Sequence, residues 1–140
     1  MNSVGLNSPE RAMYPKRYAD SDGKTLTGKN SYVITMPANV PVRTENGGFW
    51  SITMYDAKDR FMVENEIGRQ KVGSVTKGLK RNDDGSLTIH ISNSRPSDDT
   101  RLANWLPAPE GDFMLQCRLY EPDASVVRGD FQLPQVVKEG

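Results

Sequence analysis

The sequence predicts an all-β domain, a sandwich or barrel with short helical pieces at its edges, and three observations lead there. Short runs of alternating apolar and polar residues recur along the chain, the period of a strand with one buried face. Turn formers punctuate these runs: twelve glycines, nine prolines and many Asn and Asp residues. The segments between runs leave no room for the crossover helices that a parallel sheet requires.

Taken in order, Ser8-Pro9-Glu10-Arg11-Ala12 can open a short helix, with Ser8 as N-cap and Pro9 in the first turn. Residues 1–13 are accordingly expected to form an N-terminal extension or short helix. Asp22-Gly23 is a turn dipeptide. It precedes a strand over Ser31–Met36, which Pro37 closes. Phe49–Asp56 is the next strand, with Trp50, Ile52 and Met54 on one face and Phe49, Ser51, Thr53 and Tyr55 on the other. Such two-sided character predicts that both faces are partly covered. The Asp56-Ala57-Lys58-Asp59 turn then leads to Phe61-Met62-Val63 as a short hairpin partner. Asp84-Gly85 introduces Ser86–Ser92, where Leu87, Ile89 and Ile91 point inward and Thr88 and His90 outward. Phe113–Tyr120 alternates in the same way, with Phe113, Leu115, Cys117 and Leu119 inside. A helical turn or two is expected over Pro122–Val127.

Composition narrows the function classes. A chain of 140 residues with 36% hydrophobic and 26% charged residues fits one domain, residues 1–140, able to bury a core without staples. Eighteen basic and eighteen acidic residues cancel, and the cations are scattered along the sequence. No footprint for nucleic acid or anionic membranes is expected. The single cysteine, Cys117, can form neither an internal disulfide nor a Cys-based zinc site. No stretch has the length and apolarity of a membrane span, and the first residues lack a signal-peptide pattern. No cofactor and no metal is expected.

From Tyr14 onward, several motifs follow one another: Tyr14-Pro15, Asp20-Ser21-Asp22-Gly23-Lys24, Phe49-Trp50-Ser51-Ile52-Thr53-Met54-Tyr55-Asp56, Asn82-Asp83-Asp84-Gly85-Ser86-Leu87-Thr88-Ile89, Asn104-Trp105-Leu106-Pro107-Ala108-Pro109 and Arg118-Leu119-Tyr120. In that order they resemble the domain of unknown function 1214 family. The resemblance implies a jelly-roll-like antiparallel β-sandwich. It also implies the C-terminal half of two-domain proteins that begin with domain of unknown function 1254, a half not expected in this chain. The loop Asn65-Glu66-Ile67-Gly68-Arg69-Gln70 departs from the family's Asn-Pro-Ile-Asn-Arg-Tyr at Glu66, Gly68 and Gln70 while keeping Asn65 and Arg69.

Few residues carry chemistry. His90 is the sole histidine, and a hydrolytic triad would need it to touch a nucleophile and a carboxylate. On the polar face of a strand it is expected to be exposed, and a Gly-x-Ser-x-Gly elbow is missing. Cys117 lies on an apolar face and is expected to be core. Asp56/Asp59, Asp83/Asp84 and Asp98/Asp99 are expected to be solvated loop carboxylates, since their spacing matches no EF-hand. Trp105 beside Asn104 is either a stacking and hydrogen-bonding pair for a sugar or peptide, or a plug for the end of the domain. Arg69 with Asn65 can clamp a carboxylate or form a surface ion pair. The ligand-binding candidates are therefore Asn65, Arg69, Asn104 and Trp105, with no catalytic set. The leading expectation is a non-catalytic binding or assembly domain, pairing with a partner domain or its own copies and open to a small-molecule or carbohydrate ligand. The alternative is a hydrolase or carbohydrate-active enzyme, or an accessory domain of one. Far-ultraviolet circular dichroism is expected to be dominated by strand, and a mainly helical spectrum would overturn the fold class.

Overall fold

The computed structural model describes residues 12–123 and 131–139. Its strands are β1 (Ala12–Met13), β2 (Lys16–Arg17), β3 (Tyr32–Met36), β4 (Phe49–Asp56), β5 (Lys71–Gly73), β6 (Leu87–Ser92), β7 (Trp105–Pro107), β8 (Phe113–Tyr120) and β9 (Val137–Lys138). A single α-helix among the described residues, α1 (Asp99–Ala103), precedes β7, and one 3₁₀ turn covers Thr44–Asn46. The strands form two sheets. One runs β1-β8-β4-β5 with β2 also on β8, and the other runs β7-β6-β3-β9. Its longest ladder pairs β4 with β8 from Phe49↔Tyr120 to Asp56↔Phe113. All named pairings are antiparallel except β6 with β7, which is parallel.

The period-two pattern puts one set of side chains between the sheets. Trp50, Ile52 and Met54 of β4 and Leu115, Cys117 and Leu119 of β8 meet Tyr32, Ile34 and Met36 of β3 and Leu87, Ile89 and Ile91 of β6 in one core. Burying a large apolar side chain stabilises by roughly 1.5–3 kcal/mol, so this shared core, rather than hydrogen bonding, holds the sheets together. Tyr32 is admitted because its hydroxyl accepts from Thr27 N at 3.1 Å and Asn30 Nδ2 at 3.3 Å while its ring meets Phe113 edge-on. The opposite face of β4 is covered too, as its composition predicted: Ser51 and Thr53 are both buried.

Several expectations change in detail. The Phe61–Val63 hairpin is reduced to a bridge between Tyr55 and Met62, because Arg60 takes a left-handed backbone (φ 63°) that breaks the extended run. Helix α1 was not anticipated; the Asp98 side chain starts it by accepting from Thr100 N and Arg101 N. Of the expected N-terminal helix, residues 8–11 lie outside the described residues, and Ala12–Met13 is strand, paired with Tyr120 and Leu119. Pro122 bridges to Val42, while 124–127 lie outside the described residues. No described helix is long and apolar enough to cross a membrane.

Cys117 is fully buried on the core face of β8, and desolvation pushes its thiol up to about 12. Alkylation of the native protein near neutral pH is therefore expected to be slow, with rapid modification once denaturant is added, because only the thiolate reacts. Rapid native-state labelling at a rate matching the unfolded chain would contradict this placement.

Candidate functional site

The predicted residues meet in one network that begins with a turn. Asn65 Oδ1 accepts from Ile67 N at 3.2 Å and Arg69 N at 3.0 Å, and its Nδ2 donates to Arg69 O at 2.5 Å. This is the side-chain mimicry of a backbone turn that asparagine performs best. The turn aims Arg69 at the end of α1, where its guanidinium donates to Ala103 O at 2.9 Å and Trp105 O at 3.1 Å. Burial lowers the Arg69 pKa. Two carbonyl oxygens, rather than a carboxylate, receive its charge.

Asn104 sits between those carbonyls at 2% exposure. Its Oδ1 accepts from Lys80 N at 2.9 Å, and its Nδ2 donates to Lys80 O at 2.7 Å and Thr88 O at 2.9 Å. Its backbone carbonyl accepts from His90 N at 3.0 Å. Trp105 is 1% exposed, and its indole N–H donates to Ser92 O at 2.9 Å. Its ring has no exposed face, which places it with the plug of the two alternatives. Asn65, Arg69, Asn104 and Trp105 thus form a buttress beside β6, built from amide, guanidinium and indole donors that saturate backbone carbonyls.

In front of that buttress lies a polar cleft of about 380 Å³, bordered by His90, Ser92, Ser94, Arg95, Asp98, Arg101 and Glu139 among others. None of the four buttress side chains lines it. His90 enters it from β6 and is half-buried rather than exposed, with its side chain 14% accessible. The chain beyond β9 and helix α1 supply the cover: Arg101 donates to both Glu139 oxygens at 3.1 Å, and His90 Nδ1 stands 4.0 Å from Glu139 Oε1. Desolvation first, and then the Arg101 charge, lower the His90 pKa, against opposing pulls from Glu139 and Asp98. The imidazole is therefore neutral at pH 7, and its Nδ1 has no hydrogen-bond partner among the described residues.

The cleft can receive a hydroxylated or charged ligand, but its groups do not make a hydrolytic set. His90 has a carboxylate neighbour, yet no described serine, threonine or cysteine side chain is hydrogen-bonded to its ring; Ser92 Oγ instead donates to Ser94 O at 2.7 Å. Four of the six loop carboxylates likewise accept from nearby groups. Asp56 accepts from Lys58 N, Asp59 from Phe61 N, Asp84 from Ser86 N and Oγ, and Asp98 caps α1. No group of three or more His, Cys, Asp or Glu side chains capable of holding a metal occurs among the described residues.

Three comparisons place this geometry. A family model described as "Protein of unknown function (DUF1214)" matches residues 11–124. The crystal structure of the VPA0106 protein from Vibrio parahaemolyticus is similar over 94% of this chain, at 32% identity and a TM-score of 0.81. A putative uncharacterized protein from Burkholderia cenocepacia is similar over 96%, at 16% identity and a TM-score of 0.52, a likeness of fold alone. In both, the match spans only 31% of the longer chain. No curated protein matches.

Trp105→Ala is expected to cost about 3–5 kcal/mol, the range for truncating a core Trp, and to lower the melting temperature sharply. An unchanged melting temperature would show that the ring is not a plug. The depressed His90 pKa gives stability that is full above the unfolded value of about 6.5 and is lost as pH falls below it through the folded value. A nuclear magnetic resonance titration of His90 should show a midpoint below 6.5, and His90→Gln should flatten the fall in melting temperature over that window. A midpoint above 6.5 would contradict the desolvated environment.

Proposed function

Because the chain belongs to the DUF1214 family, we propose that it is a non-catalytic module of a longer protein, a jelly-roll-like β-sandwich that serves binding or assembly. The observation that carries this is the recurrence of the same fold, at 32% identity, as 31% of a much longer chain. A module of that kind presents surface to the remainder of its protein or to other copies.

The exposed apolar residues support the assembly part. Phe61 (73% exposed), Met62 (55%), Ile67 (37%) and Val75 (74%) fall in one segment flanking β5, the last strand of its sheet. Exposed apolar residues are ordinary singly, but their concentration beside a sheet edge supports an interaction surface. The alternative, a hydrolase or carbohydrate-active enzyme or an accessory domain of one, would run through His90 and Glu139 and lacks the nucleophile contact described above. In the binding reading the cleft receives a small polar or carbohydrate ligand, and Asn65, Arg69, Asn104 and Trp105 act by holding its β6 wall in place.

Sedimentation over a concentration series is expected to show reversible self-association, weakened when Phe61 and Val75 are both replaced by serine. A strict monomer at the highest attainable concentration, with no thermal shift against a panel of sugars, would overturn the proposal.

A further inference from the structure

A second surface follows from the register of the five-stranded sheet and does not depend on the assembly reading. On the face turned away from the core, one cross-strand row is set by pairing: Lys16 of β2 lies opposite Gln116 of β8, Gln116 opposite Thr53 of β4, and Thr53 opposite Lys71 of β5. The next row holds Arg118, opposite Ser51 and then Gly73. Ser51 and Thr53 are buried among their longer neighbours on this face, and Arg118 lies along the sheet over Thr53, donating to Thr53 Oγ1 at 3.2 Å and to Tyr55 Oη at 3.0 Å. Beyond it, Phe49 and Tyr120 stack at 4.5 Å between centroids and wall off that side.

Among the described strand residues of this face the charges have one sign. Strands β1, β2, β4, β5 and β8 place Lys16, Lys71 and Arg118 on it and no acidic residue. None of these three cations takes part in an ion pair among the described residues. Arg118 is held by two neutral hydroxyls that orient it without cancelling its charge, which leaves guanidinium N–H groups uncommitted. Lys16 and Lys71 are exposed on strands three steps apart, about 14 Å at the usual spacing, and their flexible stems are long enough to reach over the row. The chain is neutral overall, so this polarity is a product of the fold.

We propose that this face of the sheet binds a multivalent oxyanion, a polycarboxylate or a phosphate, with Arg118 as the central fork and Lys16 and Lys71 as flanking charges. A planar guanidinium fixed in orientation recognises carboxylate or phosphate oxygens through paired N–H donors. Lysines supply charge without fixed geometry, which favours anions carrying more than one charge. Gln116, half-buried between them, adds an amide donor at the centre of the row.

The test is calorimetric titration of the 140-residue chain with citrate, inorganic phosphate and acetate at matched ionic strength, alongside Arg118→Gln, the Lys16→Gln/Lys71→Gln pair, and Arg81→Gln in the exposed loop before β6. Saturable binding is expected, tighter for citrate than for acetate, and the comparison of citrate with phosphate separates the two oxyanion sources. Arg118→Gln should weaken it roughly ten- to a hundredfold, the range for losing a charged hydrogen-bond partner, and Arg81→Gln should leave it unchanged. The lysine pair is solvent-exposed and should fold normally, so its loss of affinity reports on the site even if Arg118→Gln is unstable. Binding that survives in the lysine pair and Arg118→Gln, that disappears in Arg81→Gln, or that is indistinguishable from sodium chloride would overturn the proposal.

Discussion

A buried amide at Asn104 ties together the parts on which the candidate site depends. It stands where α1 ends and β7 begins, and it satisfies both backbone groups of Lys80 as well as the carbonyl of Thr88. Asn104 itself is 2% exposed, so its amide would otherwise be buried without partners, at a penalty of about 1–3 kcal/mol for each unsatisfied group. Through its own carbonyl Asn104 also receives the amide of His90. The parallel β6–β7 pairing, the single departure from antiparallel order among the named strands, is therefore closed by side chains as much as by the ladder. Arg69 and Trp105 complete the closure from either side. His90 and Ser92, bonded to Asn104 and Trp105 from the neighbouring strand, inherit their position from this closure.

That arrangement explains why chemically suggestive residues prove architectural. A tryptophan beside an asparagine in a proline-rich loop has the composition of a ligand site, but here the polar atoms of both are consumed by backbone groups. The same economy governs Asn65 and the loop aspartates, whose oxygens are turned toward nearby amides. The two ligand sites proposed for this protein use less conspicuous groups: the cleft around His90 and the cationic row over β2, β8, β4 and β5.

The long strands were legible because alternation is local. Phe49–Asp56 and Phe113–Tyr120 carry their faces in sequence, and the structure places them as read. The two- and three-residue strands β1, β2, β5, β7 and β9 were not legible, since so few residues show no period and their pairing is decided by distant partners. Helix α1 had a visible N-cap in Asp98 but only five residues, too few for helical periodicity to register. At the site, residue types were legible and their roles were not. The half-burial of His90 depends on Glu139, forty-nine positions away in sequence (139 minus 90). The convergence of Lys16, Lys71 and Arg118 depends on strand order, and along the sequence they are merely scattered cations.

The measurement that bears most directly on this account is the unfolding free energy of Asn104→Ala, with amide spectra of the same variant. If Asn104 closes the β6–β7 junction, the substitution removes three hydrogen bonds made by a buried side chain and costs about 2–4 kcal/mol. The amide resonances of Lys80, His90 and Ser92 should then shift while those of the β4–β8 ladder hold. A variant within about 0.5 kcal/mol of the parent, the range of an ordinary surface change, and with those resonances unmoved, would contradict it.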